Sequence, residues 1–131
     1  MIEQALDEAR ARIRRSTPLE AAAADAVLVD TRSVDERERD GVIPGSVHVP
    51  LSVLEWRCDQ SSGFANPHLG NRPLVLVCAH GYSSSLAAAR LVDLDVDAGD
   101  LEGGFEAWRE AGLPVVAAPS VNGTPGMGGP Q

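Results

Sequence analysis

The chain has 131 residues, 44% of them apolar, enough for one ordinary domain with a hydrophobic core, and this excludes global disorder. Acidic residues outnumber basic ones 19 to 11, a formal net charge of −8. That balance argues against a nucleic-acid binder, whose affinity comes from Lys and Arg neutralising phosphates, and equally against an anionic membrane surface.

Met1 to Ser16 carries Glu3, Asp7, Glu8, Arg10, Arg12, Arg14 and Arg15 with no apolar run, so it does not read as a signal peptide. No stretch approaches the roughly 18 apolar residues of a membrane span. A cytoplasmic protein is expected. Two cysteines, Cys58 and Cys78, are too few for a disulfide framework, although one bridge between them stays arithmetically open.

Ile2, Leu6, Ala9 and Ile13 recur at helical spacing and predict an amphipathic N-terminal helix within residues 1–18, over Ile2 to Arg15. Thr17-Pro18 breaks it, and Pro18 suits the first turn of a second short helix, Leu19 to Ala24. Ala26 to Asp30 reads as a strand. Ser33 and Glu36 have the spacing of a capping box, and the helix they open must be brief because Gly41 and Pro44-Gly45 force a turn. Val47 to Val49 predicts a small strand, Pro50 to Arg57 a helical turn or two, and residues 58–72 a loop. Leu74 to Val77 is apolar on both faces, as a central parallel strand must be. A Gly- and Ser-containing loop precedes a helix over Ser84 to Leu94, and residues 95–100 include another strand. Gly103-Gly104 opens a helix carrying Phe105 and Trp108 on one face, Gly112 stops it, and Val115-Val116 predicts a last edge strand. Residues 118–131 contain four Gly and three Pro and predict a disordered tail. The alternation of strands and helices makes this a single α/β domain with a mainly parallel sheet. Its site is expected in the crevice beyond the carboxyl ends of the strands.

One segment dominates that expectation. Cys78 ends the central strand and is followed by Ala79, His80, Gly81, Tyr82, Ser83 and Ser84, a tight loop running into a helix start. Backbone N–H groups of residues 79–84 can curl around the sulfur, because Gly81 permits conformations that other residues resist. The helix N-terminus adds a partial positive field. Both favour thiolate over thiol, and the same cradle stabilises a charged terminal sulfur or an oxyanion without metal or organic cofactor. The local pattern fits equally well a cysteine that merely fills core space at a strand end.

Four separated segments bear on that choice: Leu28-Val-Asp30-Thr-Arg32, Gly41-Val-Ile-Pro44-Gly45-Ser-Val-His48-Val-Pro50, Cys78-Ala-His-Gly81-Tyr-Ser-Ser, and Asp100-Leu-Glu-Gly103-Gly104-Phe-Glu-Ala-Trp108 through Gly112-Leu-Pro114-Val. In this order they resemble the single-domain rhodanese-like (sulfurtransferase) family, from roughly residue 19 to residue 117. The resemblance implies an open parallel sheet with helices on both faces and Cys78 as the sulfur carrier. It implies a cysteine that takes the outer sulfur of thiosulfate or of a protein persulfide donor and passes it to a thiol or cyanide acceptor. It implies no cofactor and no metal. The alternative is a catalytically weak rhodanese-like binding or regulatory module.

The departure is at position 83, where such loops often place Arg in C-x-x-G-x-R-S and this chain has Ser83. A hydroxyl brings no charge and no bidentate fork, and an unreplaced charge-assisted contact to an anion costs about 1.5–3 kcal/mol. A C-x5-R phosphatase or arsenate reductase loop needs arginine at 84, which is serine. Among supporting residues, Asp30 and Arg32 read as a salt bridge ordering nearby loops, and His48 as a structural hydrogen-bond partner. Arg57, in a segment where relatives often carry arginine, is the candidate compensator for the missing charge. Trp56 is expected in the core or at the pocket rim, His80 and Tyr82 at the pocket, and Cys58 either as a bland buried cysteine or as a resolving thiol.

Overall fold

The structure is a computed structural model and describes residues 1–119. Five parallel strands form one sheet in the order β1-β5-β4-β2-β3, where β1 is Arg14–Ser16, β2 Val27–Asp30, β3 Val47–His48, β4 Leu74–Val77 and β5 Ala98–Leu101. Six α-helices connect them: α1 Ile2–Ala11, α2 Pro18–Ala23, α3 Val34–Asp40, α4 Leu54–Cys58, α5 Ser83–Asp93 and α6 Gly104–Glu110. No helix among the described residues is long and apolar enough to cross a membrane.

The alternation of a strand's side chains divides the core in two. Val27, Val29, Leu74, Leu76 and Ala98 pack with Leu54, Cys58, Ala88 and Leu91 on the side of α4 and α5. Leu28, Val75, Val77 and Leu101 pack with Ala21, Phe105 and Trp108 on the side of α2 and α6. Helices therefore cover both faces, and β4, buried at all four positions, lies in the middle as its sequence demanded. The capping box expected at α3 is present in both directions, Ser33 Oγ accepting from Glu36 N and Glu36 Oε1 accepting from Ser33 N, each at 3.1 Å. A second box at Thr17 and Glu20 starts α2 with Pro18 inside its first turn.

Two expectations are corrected. Residues 14–16 are not the end of the first helix. They form β1, which pairs Arg14, Arg15 and Ser16 with Gly99, Asp100 and Leu101. The helical spacing that reaches Ile13 ends in a strand because β5, buried throughout, would otherwise expose its outer row of backbone polar groups. The segment 1–18 is accordingly part of the sheet domain, not an appendage to one beginning at 19. Val115-Val116 is not an edge strand either. Val116 makes only an isolated antiparallel bridge to Val42, and Trp108 Nε1 donates to the Pro114 carbonyl at 2.9 Å, pinning the chain away from the sheet. The expected tail, residues 118–131, lies outside the described residues from 120 onward.

Phe105 anchors α6 in the second of these core clusters. It is 2% exposed in the second core cluster, and the Arg32 guanidinium stacks 3.8 Å above its ring. Phe105→Ala should lower stability by about 3–5 kcal/mol. The check is a shifted urea midpoint with unchanged slope in equilibrium unfolding.

Candidate active site

Cys78 follows β4 directly, at the carboxyl edge of the sheet, and α5 begins five residues later. The chain turns at Gly81, whose φ of +85° is a left-handed conformation. A Cβ there would lie 2.8 Å from the Gly103 nitrogen. Gly104 is as constrained, because its Cβ would meet the Cys78 carbonyl oxygen at 2.5 Å. The two glycines let the active-site loop and the start of α6 touch backbone to backbone.

That contact sets which way the loop's peptides face. Phe105 N donates to the Cys78 carbonyl at 2.8 Å and Glu106 N to the Ala79 carbonyl at 3.1 Å. These bonds tie the start of the loop to the start of α6, while two later amides of the loop turn to the sulfur. Gly81 N donates to Cys78 Sγ at 3.1 Å and Ser84 N donates at 3.4 Å. The thiol in turn donates to Ser84 Oγ at 3.2 Å. Cys78 is 7% exposed, His80, Tyr82 and Ser83 of the same loop are exposed, and Tyr82 and Ser83 line a surface cavity with Ile2, Leu6 and Leu86.

Burial by itself pushes the Cys78 thiol up. Hydrogen bonds from the Ser83 and Ser84 side chains and from the N–H groups of Ser84 and Gly81 outweigh it, so the net direction is down from the ordinary value of 9.0. The serine at position 83 thus serves the sulfur itself. The N-terminal end of α5 acts in the same direction.

Behind the sulfur lies a polar cluster. Ser84 Oγ donates to Asp100 Oδ2 at 2.8 Å and Ser85 Oγ donates to the same oxygen at 2.7 Å. Asp100 is fully buried and paired with Arg15, whose Nε reaches Oδ1 at 2.9 Å. When the thiol ionises, the Ser84 hydroxyl can turn its proton to sulfur, because Ser85 and Arg15 still satisfy the carboxylate. Sequence reasoning missed Asp100, Ser85, Arg10 and Arg15. One signal was present, a carboxylate within a strand buried at every position. The partner Arg15 becomes visible only once residues 14–16 are known to be a strand in register with β5.

The remaining candidates fall at other places. Arg32 grips Asp30 bidentately, Nε to Oδ1 at 3.1 Å and Nη2 to Oδ2 at 2.9 Å, and also donates to the Gly41 carbonyl. Arg37 adds a third cationic contact to Asp30. This buried cluster has the loop-ordering role expected of Asp30 and Arg32. His48 Nε2 meets the Arg32 carbonyl at 2.9 Å, and burial, helped by Arg37, holds its pKa below the usual value. Arg57 is buried, and its Nη1 donates to the Phe64 carbonyl at 3.0 Å, which secures the 58–72 loop. Among the described residues, Arg10 and Arg15 reach the Gly81 carbonyl of the Cys78 loop. Trp56 is half exposed and lines a surface cavity with Glu55, Asp59, Ser61, Ser62 and Leu94, so it is not a core residue. Cys58 sits in the core at the end of α4, where burial, reinforced by Glu55, pushes its thiol up to about 12. Both cysteines are free.

Fold and site together define a doubly covered parallel α/β domain that presents a backbone-cradled cysteine at its carboxyl edge. The family model for the rhodanese-like domain matches residues 8–111, and the chain belongs to that family. The thiosulfate sulfurtransferase GlpE of Pseudomonas syringae pv. syringae is 40% identical over 85 residues, covering 64% of this chain and 73% of the relative. GlpE of Actinobacillus succinogenes is 34% identical over 99 residues, covering 74% and 81%. Among solved structures, a protein of unknown function from Rhodopseudomonas palustris, described as a possible tyrosine phosphatase, superposes with a TM-score of 0.81. It is 39% identical, and the match covers 88% of this chain and 94% of that one. These relationships support sulfurtransferase chemistry in general.

The two cysteines should separate by reactivity. Iodoacetamide should modify Cys78 with a rate that rises through a midpoint below pH 9.0 and then levels off, since the thiolate is the nucleophile. Cys58 should stay unmodified in the folded chain until the pH approaches about 12. Peptide mapping by mass after timed quenching at each pH measures both.

Proposed function

We propose that this protein is a sulfurtransferase that carries sulfane sulfur on Cys78 as a persulfide. The observation behind the reading is the set of donors converging on Sγ: Gly81 N, Ser84 N and the serine hydroxyls. They favour an anionic sulfur, the form required both of the attacking thiolate and of the persulfide product.

In the first half-reaction the Cys78 thiolate attacks the outer sulfur of thiosulfate. A sulfur–sulfur bond forms to Cys78, the bond to the sulfonate sulfur breaks, and its electron pair leaves with sulfite. Charge balances, one thiolate and one dianion giving one persulfide anion and one dianion. In the second, cyanide or a thiolate attacks the outer sulfur and leaves as thiocyanate or a new persulfide, returning the Cys78 thiolate. A protein or small-molecule persulfide serves as donor by the same displacement. The residues directly involved are Cys78 as nucleophile and the loop Ala79, His80, Gly81, Tyr82, Ser83 and Ser84 as cradle and rim. Asp30, Arg32 and Arg57 support from a distance. The chemistry needs neither metal nor organic cofactor. A reducing compartment such as the cytoplasm suits it, because Cys78 must be free between turnovers.

Phosphoryl transfer is the weaker reading, because position 84, where a C-x5-R loop needs its arginine clamp, holds a serine bonded to Sγ. A catalytically weak binding module is the other, favoured by the neutral residue at 83 and the net charge of −8.

Incubation with thiosulfate or a small persulfide should add one sulfur atom to the intact chain by mass spectrometry, and Cys78→Ser should abolish the gain. No gain with either donor would leave the binding module. Ser83→Arg should raise kcat/KM for thiosulfate by about tenfold, the equivalent of one charge-assisted contact, and leave an uncharged persulfide donor nearly unaffected. A donor-by-acceptor assay of both variants measures this.

A further inference from the structure

The Gly81 carbonyl oxygen takes a guanidinium N–H on each of its two lone pairs, because the Ser85 hydroxyl beside it gives its one proton to Asp100. Arg10 Nη2 approaches at 2.8 Å, Arg15 Nη2 at 3.1 Å and Ser85 Oγ at 3.2 Å. The two arginines come from outside the loop, Arg10 from the last turn of α1 and Arg15 from the middle of β1. Each is held at several points. Arg10 Nε donates to Ser85 Oγ at 3.1 Å, and its guanidinium stacks 5.5 Å from the centre of the Tyr82 ring. Arg15 is locked to Asp100, its register partner across the β1–β5 pair. Two cations against one carboxylate leave a net positive charge directly behind the loop, within a chain whose overall charge is −8.

We infer that Arg10 and Arg15 form a charged brace that positions the 81–82 peptide and supplies the anion-attracting charge absent at position 83. The carbonyl of that peptide faces the guanidinium groups, so the Tyr82 N–H points the opposite way, across the trans bond. The Cys78 and Ala79 carbonyls are drawn outward by Phe105 N and Glu106 N. The brace does the same for the third carbonyl of the loop and so adds Tyr82 N–H to the ring of inward amides. A cation behind a peptide also deepens the polarity of its N–H, so the field reaches the sulfur even though neither guanidinium contacts it. The ligand class is a small anion, a thiosulfate-like donor or the persulfide it leaves. This inference rests on the sulfurtransferase reading only for that anion's identity. Arg10 and Arg15 are positioning residues, because they act through Gly81.

The test uses the full chain and alkylation of Cys78, which requires no sulfur transfer. Arg10→Gln removes the charge and keeps a polar donor at the position of the arginine Nε, beside Ser85 Oγ, Arg10→Leu removes both, and Arg10→Lys keeps the charge. Rates with iodoacetate, an anion, and with iodoacetamide, its neutral analogue, are measured across pH, with folding checked by circular dichroism. In the Gln and Leu variants the iodoacetate-to-iodoacetamide ratio should fall about threefold and the iodoacetamide midpoint should rise by about half a pH unit, as expected for one unit charge removed at ~6 Å in a well-screened site. Arg10→Lys should restore the ratio. A packing role alone would slow both reagents together, leaving ratio and midpoint at wild-type values, and that result overturns the brace. Should Arg10→Leu not fold, the Gln variant alone decides, since it removes the charge while keeping a polar side chain beside Ser85. A wild-type chain that gains no sulfur from thiosulfate or from a small persulfide, while its Arg10 variants show the ratio change, refutes the transferase and keeps the brace. Sulfur gain without the ratio change does the reverse.

Discussion

Three backbone carbonyls of the 78–81 segment are each held from outside the loop, and the chemistry of the site depends on that constraint. A cysteine at the end of a buried strand would ordinarily be a high-pKa thiol, because desolvation disfavours its charge. Cys58 is such a case, surrounded by core side chains and pushed up to about 12. Cys78 is almost as buried and shifts the other way. The difference between the two sulfurs lies in the donors around Cys78, the Ser83 and Ser84 side chains first and the N–H groups of Ser84 and Gly81 after them.

The loop that carries these donors is held at the Cys78, Ala79 and Gly81 carbonyls by parts of the chain that do not contact the sulfur. Gly103 and Gly104 bring the start of α6 close enough for Phe105 and Glu106 to hold the first two carbonyls. The third is held by Arg10 and Arg15, which reach it from α1 and β1. Asp100 connects this last group to the Cys78 side, since it binds Ser84, Ser85 and Arg15 together. The Asp30, Arg32 and Arg37 cluster is a separate device. It joins the end of β2 to α3 and the Gly41 turn, and through the Arg32–Phe105 stack it steadies α6.

Substitution of a neutral residue at position 83 therefore changes how charge is delivered more than whether it is delivered. An arginine in the loop meets an anion with a direct, bidentate contact. Cations behind the loop act through polarised amides, with less affinity for a particular oxyanion and less dependence on its shape. Ser83 in the meantime is free to hydrogen-bond the sulfur. That arrangement suits a persulfide, whose charge rests on sulfur and not on a sulfonate.

Much of this was legible in the residues. Four apolar positions in Leu74 to Val77 imply a strand covered on both faces, Ser33 and Glu36 imply a capped helix, and a cysteine before a Gly-containing loop and a helix start implies a cradle. These are local statements, each governed by periodicity, capping or φ, and a chain segment carries them by itself. The edge strand Arg14–Ser16, the pairing of Arg15 with Asp100, and the gathering of Arg10 and Arg15 on one carbonyl belong to another class. Helical spacing continued through Ile13, and only the unpaired edge of β5, about 85 residues away in sequence, could draw the next residues into a strand. Register then chose which arginine met the buried carboxylate. Sequence determined most of the elements and the candidate nucleophile, whereas the tertiary structure decided which charges stand behind it, because those contacts depend on strand pairing that no local pattern encodes.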